Sequence, residues 1–372
     1  MRSLQEQLVY VKGHPTGFDY LRLTLSISVI VWHSISVCYG VDAETPFWTG
    51  PARPFVFFIL PSFFALSGFL IAGSLERNNI PTFLTLRAMR IFPALTVEVL
   101  ISALIIGPLV TVVALTSYFS SPDFYRYFLN ILGHITFYLP GVFEDLPVSG
   151  VVNKQLWTVP VELHCYIVIT ILALLGVARR PFRLFAVTLA TMALLAMLSF
   201  AGIKKPAFDG AAPSYLLILS FLCGAVVYLM RQRVAFSWTL FFASTAAYAA
   251  LVMSADTLYL SAFPVAYMTV FLGLQNPPKT IFIRGADYSY GIYLYGFPLQ
   301  QGISYLFPHQ RIWYFNALGG VALAFACAYL SWTFIESRVL SERKSVLSLV
   351  SSACARISRL LNKPLPQLPG SR

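Results

Sequence analysis

The sequence predicts an all-α integral membrane protein, a bundle of about ten transmembrane helices with both termini in the cytoplasm. Three observations carry that reading. The chain is 58% hydrophobic and only 11% charged, where a soluble domain carries about 25% charged residues, and its mean hydropathy is +0.72. Apolar stretches near the roughly 20 residues needed to cross a bilayer recur along all 372 residues rather than once, as a single anchor would. The basic residues also fall unevenly between alternate loops, which is the topogenic signature of a multi-pass protein.

The start, Met1 to Gly17, is polar, contains Glu6, and does not read as a signal peptide. The predicted spans then run at about 18–40, 54–75, 90–117, 156–178, 182–203, 213–230, 235–254, 257–276, 286–307 and 312–335. A further stretch, 123–140, holds Arg126, Asn130 and His134 and is shorter and more polar. It is expected to be an interfacial or re-entrant helix. With the N-terminus inside, only Arg53, Arg126, Lys154, Lys204, Lys205 and Arg311 face outward, and every other Lys and Arg faces in. Residues 1–340 thus form the membrane domain. Residues 341–372 form a basic cytoplasmic tail, with Pro364 and Pro366 near its end, expected to be partly disordered.

A net charge of +11 could signal nucleic acid, but these charges are spread over short loops, so no nucleic-acid partner is expected. The five cysteines lack CxxC spacing and a disulfide pattern. No glycine-rich phosphate loop, HExxH zinc motif or G-x-S-x-G elbow occurs, and no metal is expected.

Ionisable residues inside a span cost about 2.5–3.5 kcal/mol at the centre, so each is a functional candidate. Arg22 and His33 are eleven apart, about 1100° of helix, and share one face about 16 Å apart. Asp19 precedes Arg22 by one turn and is its expected partner. His33 is either a packing histidine bonded to a nearby carbonyl or a reactive group near mid-membrane. Arg87 and Arg90 make an R-x-x-R pair on one helix face. Two guanidiniums there suit a phosphate or diphosphate, or merely lipid head groups. Ser67-Gly68 allows close helix packing or a kink beside a substrate tunnel. Glu162, just inside the fourth span from the outer side, could pair with His33 or receive a hydroxyl proton. Tyr288, Tyr290, Tyr293 and Tyr295 either line a sugar path or, as is expected for most of them, form an interfacial aromatic belt, and Glu336 is expected to make a local ion pair with Arg338.

These motifs, in this order, resemble the membrane acyltransferase family 3. Gly17-Phe18-Asp19-Tyr20-Leu21-Arg22 followed by His33 is similar to its G-x-D-x-L-R…H opening. Phe64 to Ile71, Arg87-Ala88-Met89-Arg90-Ile91-Phe92-Pro93, Leu156 to Glu162, and Tyr288 to Leu294 resemble its later motifs. The chain departs from the family at Gly296, where many members have histidine, and at Leu163-His164, where many have an acidic or Gln residue and then an aromatic. The hydrolase-like domain fused to some members has no counterpart in this sequence.

The resemblance implies an inner-membrane O-acyltransferase of a bacterium, moving an acyl group, usually acetyl from acetyl-CoA, to a hydroxyl of an exported or surface glycan such as an exopolysaccharide or O-antigen. His33 would be the central catalytic residue and Glu162 its companion on the acceptor side. Arg87 and Arg90 would hold the acyl-CoA phosphates, with Arg22 at the mouth and Ser67 along the path. The implied partners are the bilayer, acyl-CoA, a glycan or lipid-linked glycan, and polysaccharide-export machinery. A glycan flippase and a non-catalytic export scaffold are the competing readings.

Overall fold

The computed structural model describes residues 2–13, 15–206, 210–280, 283 and 286–361. Among them there is no β-strand, only isolated bridges such as Tyr138 with Val151. The main helices are α1 (Gly17–Tyr39), α2 (Arg53–Arg77), α3 (Ile80–Val110), α4 (Lys154–Leu174), α5 (Pro181–Phe200), α6 (Ser214–Leu229), α7 (Trp238–Val252), α8 (Leu258–Gly273), α9 (Ser289–Leu306), α10 (Trp313–Ser341) and α11 (Arg343–Leu361). Each of the ten predicted spans overlaps one of the helices α1 to α10, with α3 running Ile80–Val110 where 90–117 was expected. Six of them, α1 to α5 and α10, are long and apolar enough to cross a membrane, while α6, α7 and α8 are apolar but shorter. The apolar predominance and these six helices make the chain a membrane protein.

Glycines fix the closest contacts. A methyl on Gly68 of α2 would strike the carbonyl of Phe221 on α6, and one on Gly224 of α6 would strike the carbonyl of Ala65 on α2. The Ser67-Gly68 step is therefore a helix crossing at which backbones touch. Gly17 plays the same part at the start of α1. Its amide donates to Gln275 O at 2.9 Å, and any side chain would meet the carbonyls at the end of α8.

The stretch expected at 123–140 is not one helix. It contains Pro122–Tyr127 and a 3₁₀ turn, Phe128–Leu132, too short at about 1.5–2 Å per residue to span about 30 Å of hydrocarbon. Residues 133–153 then form an irregular loop that turns inward. Val152, Asn153, Gln155 and Leu156 are all fully buried. Buried backbone needs partners, and α9 supplies some. Gln301 Nε2 donates to Val148 O and Val151 O at 2.9 and 2.8 Å. As a result α4 begins inside the bundle rather than at its surface.

After α10 the chain continues as α11, and residues 362–372, with Pro364 and Pro366, lie outside the described residues.

Candidate active site

Two cavities open inside the bundle. The larger, about 160 Å³, is lined by Arg22 of α1, Ser67 of α2, Arg87 and Arg90 of α3, Glu162 of α4 and Tyr290 of α9. The smaller, about 60 Å³, is lined by His33, Glu44, Lys154 and the tryptophans Trp32, Trp48 and Trp157. Leu60 and Tyr293 line both and form the wall between them.

The arginine chamber gathers four of the residues singled out in the sequence as donor ligands, but they are not equivalent. Asp287, just ahead of α9, bridges two of them. Its Oδ2 accepts from Arg22 Nη1 at 3.0 Å and from Arg90 Nη2 at 2.6 Å. Arg22 is thus paired with Asp287 where Asp19 was expected. Arg90 Nη1 also donates to Glu336 Oε2 at 3.3 Å. Glu336, 4% exposed on its side chain, accepts a second bond from Ser331 at 3.1 Å. The expected Glu336–Arg338 pair does not form. Glu336 sits at a π-helical turn, Trp332–Glu336, which aims it into the bundle, while Arg338 lies over the Phe334 ring. Arg87 makes no ion pair among the described residues, and its buried Nε lacks a hydrogen-bond partner. Of the R-x-x-R pair, Arg90 is tied to two carboxylates and Arg87 remains available to a ligand.

Glu162 also belongs to this chamber and accepts a hydrogen bond from Tyr166. It does not share a cavity with His33. The sequence reading put the start of its span at the outer surface, whereas the inward loop 133–153 lets α4 start deep and carries Glu162 to the arginines. Tyr166, one turn on, is the partner that the unusual Leu163-His164 left open.

His33 faces the other chamber. Its ring meets Phe297 edge-on, with centroids 5.3 Å apart. Nδ1 is buried and has no hydrogen-bond partner among the described residues. A packing histidine would be expected to bond a carbonyl, and this one does not. Beside it, Lys154 Nζ lies 4.0 Å from Glu44 Oε2, to which Trp48 Nε1 also donates at 3.4 Å.

The tyrosines of α9 do not form a belt. Tyr295 is buried and bonds Ser331 at 3.3 Å. Tyr290 donates to Ile91 O at 3.2 Å, with Arg90 over its ring. Tyr293 OH lies 2.7 Å from Thr158 Oγ1 and 3.3 Å from Gln155 O. All three point inward because α9 packs against α1, α3 and α10. At Gly296 a side chain would press on Ile30 and Gln155, so the packing around this glycine leaves no room for the histidine common in the family.

Sequence reasoning missed Asp287, Lys154 and Glu98. Glu98 is 1% exposed in the middle of α3. Its Oε1 accepts from Ser102 at 2.8 Å and from Asn153 at 2.9 Å, and Asn153 also donates to Leu294 O at 2.9 Å. A carboxylate inside an apolar span was the signal that could have found it.

Residues 16–336 match a family model described as an acyltransferase domain. The chain belongs to this acyltransferase family. Membership makes it an O-acyltransferase enzyme, the class its motifs predicted. Among similar proteins, nodulation protein 10 of Rhizobium leguminosarum bv. viciae is 26% identical over 370 residues, covering 90% of this chain and 96% of the relative. An O-acetyl transferase of Shigella phage Sf6 is 26% identical over 353 residues, covering 89% of this chain and 98% of the relative. No solved structure matches the chain.

Proposed function

We propose that this acyltransferase moves an acetyl group from acetyl-CoA, bound at the cytoplasmic side of a bacterial inner membrane, to a hydroxyl of an exported or surface glycan. The phosphates of the donor lie with Arg87, whose guanidinium makes no ion pair among the described residues, and Arg22 and Ser67 line the same chamber. Arg90, held by Asp287 and Glu336, shapes the chamber and adds positive field.

Chemistry takes place at His33. A glycan hydroxyl attacks the thioester carbonyl carbon, the C–S bond breaks, and the hydroxyl proton passes through the imidazole to the departing thiolate. Alternatively, the imidazole carries the acyl group in transit and the same atoms are exchanged in two steps. The observation that carries this reading is the unpartnered, buried Nδ1 of His33 in a chamber of its own. Trp32, Trp48 and Trp157 offer the aromatic faces on which sugar C–H groups stack. Glu162 acts from the donor side, where it balances the arginines.

The match to the phage O-acetyl transferase along nearly the whole chain supports acetyl as the group moved. The test is to incubate purified protein with radiolabelled acetyl-CoA and glycan extracted from a host strain lacking the gene. Label should move to the glycan with wild type. CoA binding without any transfer would refute the assignment.

A further inference from the structure

We infer that Leu60, which with Tyr293 lines both cavities, sets the length of acyl group the enzyme accepts. This rests on the functional reading above, in which the donor lies with the arginines and reacts at His33. The two ends of the donor then occupy different chambers. Its phosphates need Arg87 in the larger cavity, and its carbonyl carbon needs His33 in the smaller one. The thioester must therefore lie across the wall, beside the only two side chains found to line both cavities among the described residues, Leu60 and Tyr293.

One side of that gap is fixed. Tyr293 is tied through its hydroxyl to Thr158 Oγ1 at 2.7 Å, and its ring packs edge-on against Phe63 with centroids 5.9 Å apart. Thr158 is 6% exposed, so it acts as a positioning residue for the ring. Leu60 makes the other side and has no polar tether. Beyond the wall lies the smaller cavity, about 60 Å³, which takes both the acyl tail and the accepting hydroxyl. A two-carbon acyl group leaves space for the hydroxyl, and each added methylene competes with it. Leu60→Ala removes atoms from both chambers at once and so lengthens the space available to the tail.

The experiment compares kcat/KM for acetyl-, propionyl-, butyryl- and hexanoyl-CoA, with full-length protein in detergent and glycan extracted from a strain lacking the gene. Wild type should prefer acetyl. Leu60→Ala should raise the butyryl-to-acetyl ratio by about tenfold or more, the scale of one or two methylenes in an apolar pocket. Leu60→Phe should lower the propionyl-to-acetyl ratio. If Leu60→Ala does not yield a monodisperse protein, Leu60→Val serves, with a smaller rise of about threefold. Unchanged ratios in the Leu60 variants, with wild type transferring acetyl, would overturn this inference alone. A wild type that transfers no acyl group would overturn the functional reading as well.

Discussion

His33 and Glu162 line separate chambers, one on each side of the wall made by Leu60 and Tyr293. The two residues are therefore assigned to different halves of the reaction. Glu162→Gln should lower kcat and alter donor saturation while leaving the KM for the glycan within about twofold, the scatter of a surface-type change in binding. Steady-state kinetics with each substrate varied in turn checks this. A large rise in glycan KM with donor saturation unaltered would move Glu162 to the acceptor side.

The two arginines of the R-x-x-R motif should separate experimentally. Arg87 has no ion pair among the described residues, so Arg87→Ala should weaken CoA binding by roughly tenfold to a hundredfold, the range for a charge-assisted hydrogen bond, with little change in Tm. Arg90→Ala strips a partner from both Asp287 and Glu336. Removing one member of a fully buried pair costs about 3 kcal/mol; these pairs are partly exposed, so the loss should be smaller, but this variant should still melt lower. Calorimetric CoA titration and thermal unfolding of the two variants give the comparison. Equal loss of stability in both would contradict the division.

Asn153 anchors the C-terminal end of the inward loop. Asn153 Nδ2 bonds both Glu98 Oε1 and Leu294 O, and Asn153→Ala leaves the buried Leu294 O without that donor and Glu98 Oε1 with Ser102 alone. At about 1–3 kcal/mol for each unsatisfied group, the variant should lose thermal stability and expose 133–153 to proteolysis. A wild-type melting curve would show that the loop is held without the Asn153 bonds.

The crossing of α2 and α6 gives a steric prediction. Gly68→Val should prevent folding, because its side chain would occupy the place of the Phe221 carbonyl. Ser67→Ala, which adds no bulk, should fold normally. Yield of monodisperse protein in detergent distinguishes them.

Much of this arrangement could be read in advance. Each apolar segment became a helix because hydropathy reports burial along a single chain. Arg22, Arg87, Arg90 and His33 stood out because charge inside apolar sequence is costly. What remained hidden were pairings between distant segments. Nothing near Arg90 in the sequence indicates that its carboxylates are Asp287 and Glu336, 197 and 246 residues away. Glu162 was misplaced for a related reason. Asn153 and Gln155 look like an ordinary polar loop, yet both are fully buried, and that burial shifts the start of α4. Tyr293 was assigned to an interfacial belt because tyrosine clusters at span ends usually form one. Its bond to Thr158, which makes it a wall instead, is a tertiary fact.

The most direct measurement of the central claim is mass spectrometry of the host glycan with the gene intact, deleted, or carrying His33→Ala. The account predicts one or more acetyl groups on the glycan with the intact gene, and none with the deletion or with a His33→Ala protein that is present in the membrane and still binds CoA. A glycan acetylated to the same extent by His33→Ala would contradict it.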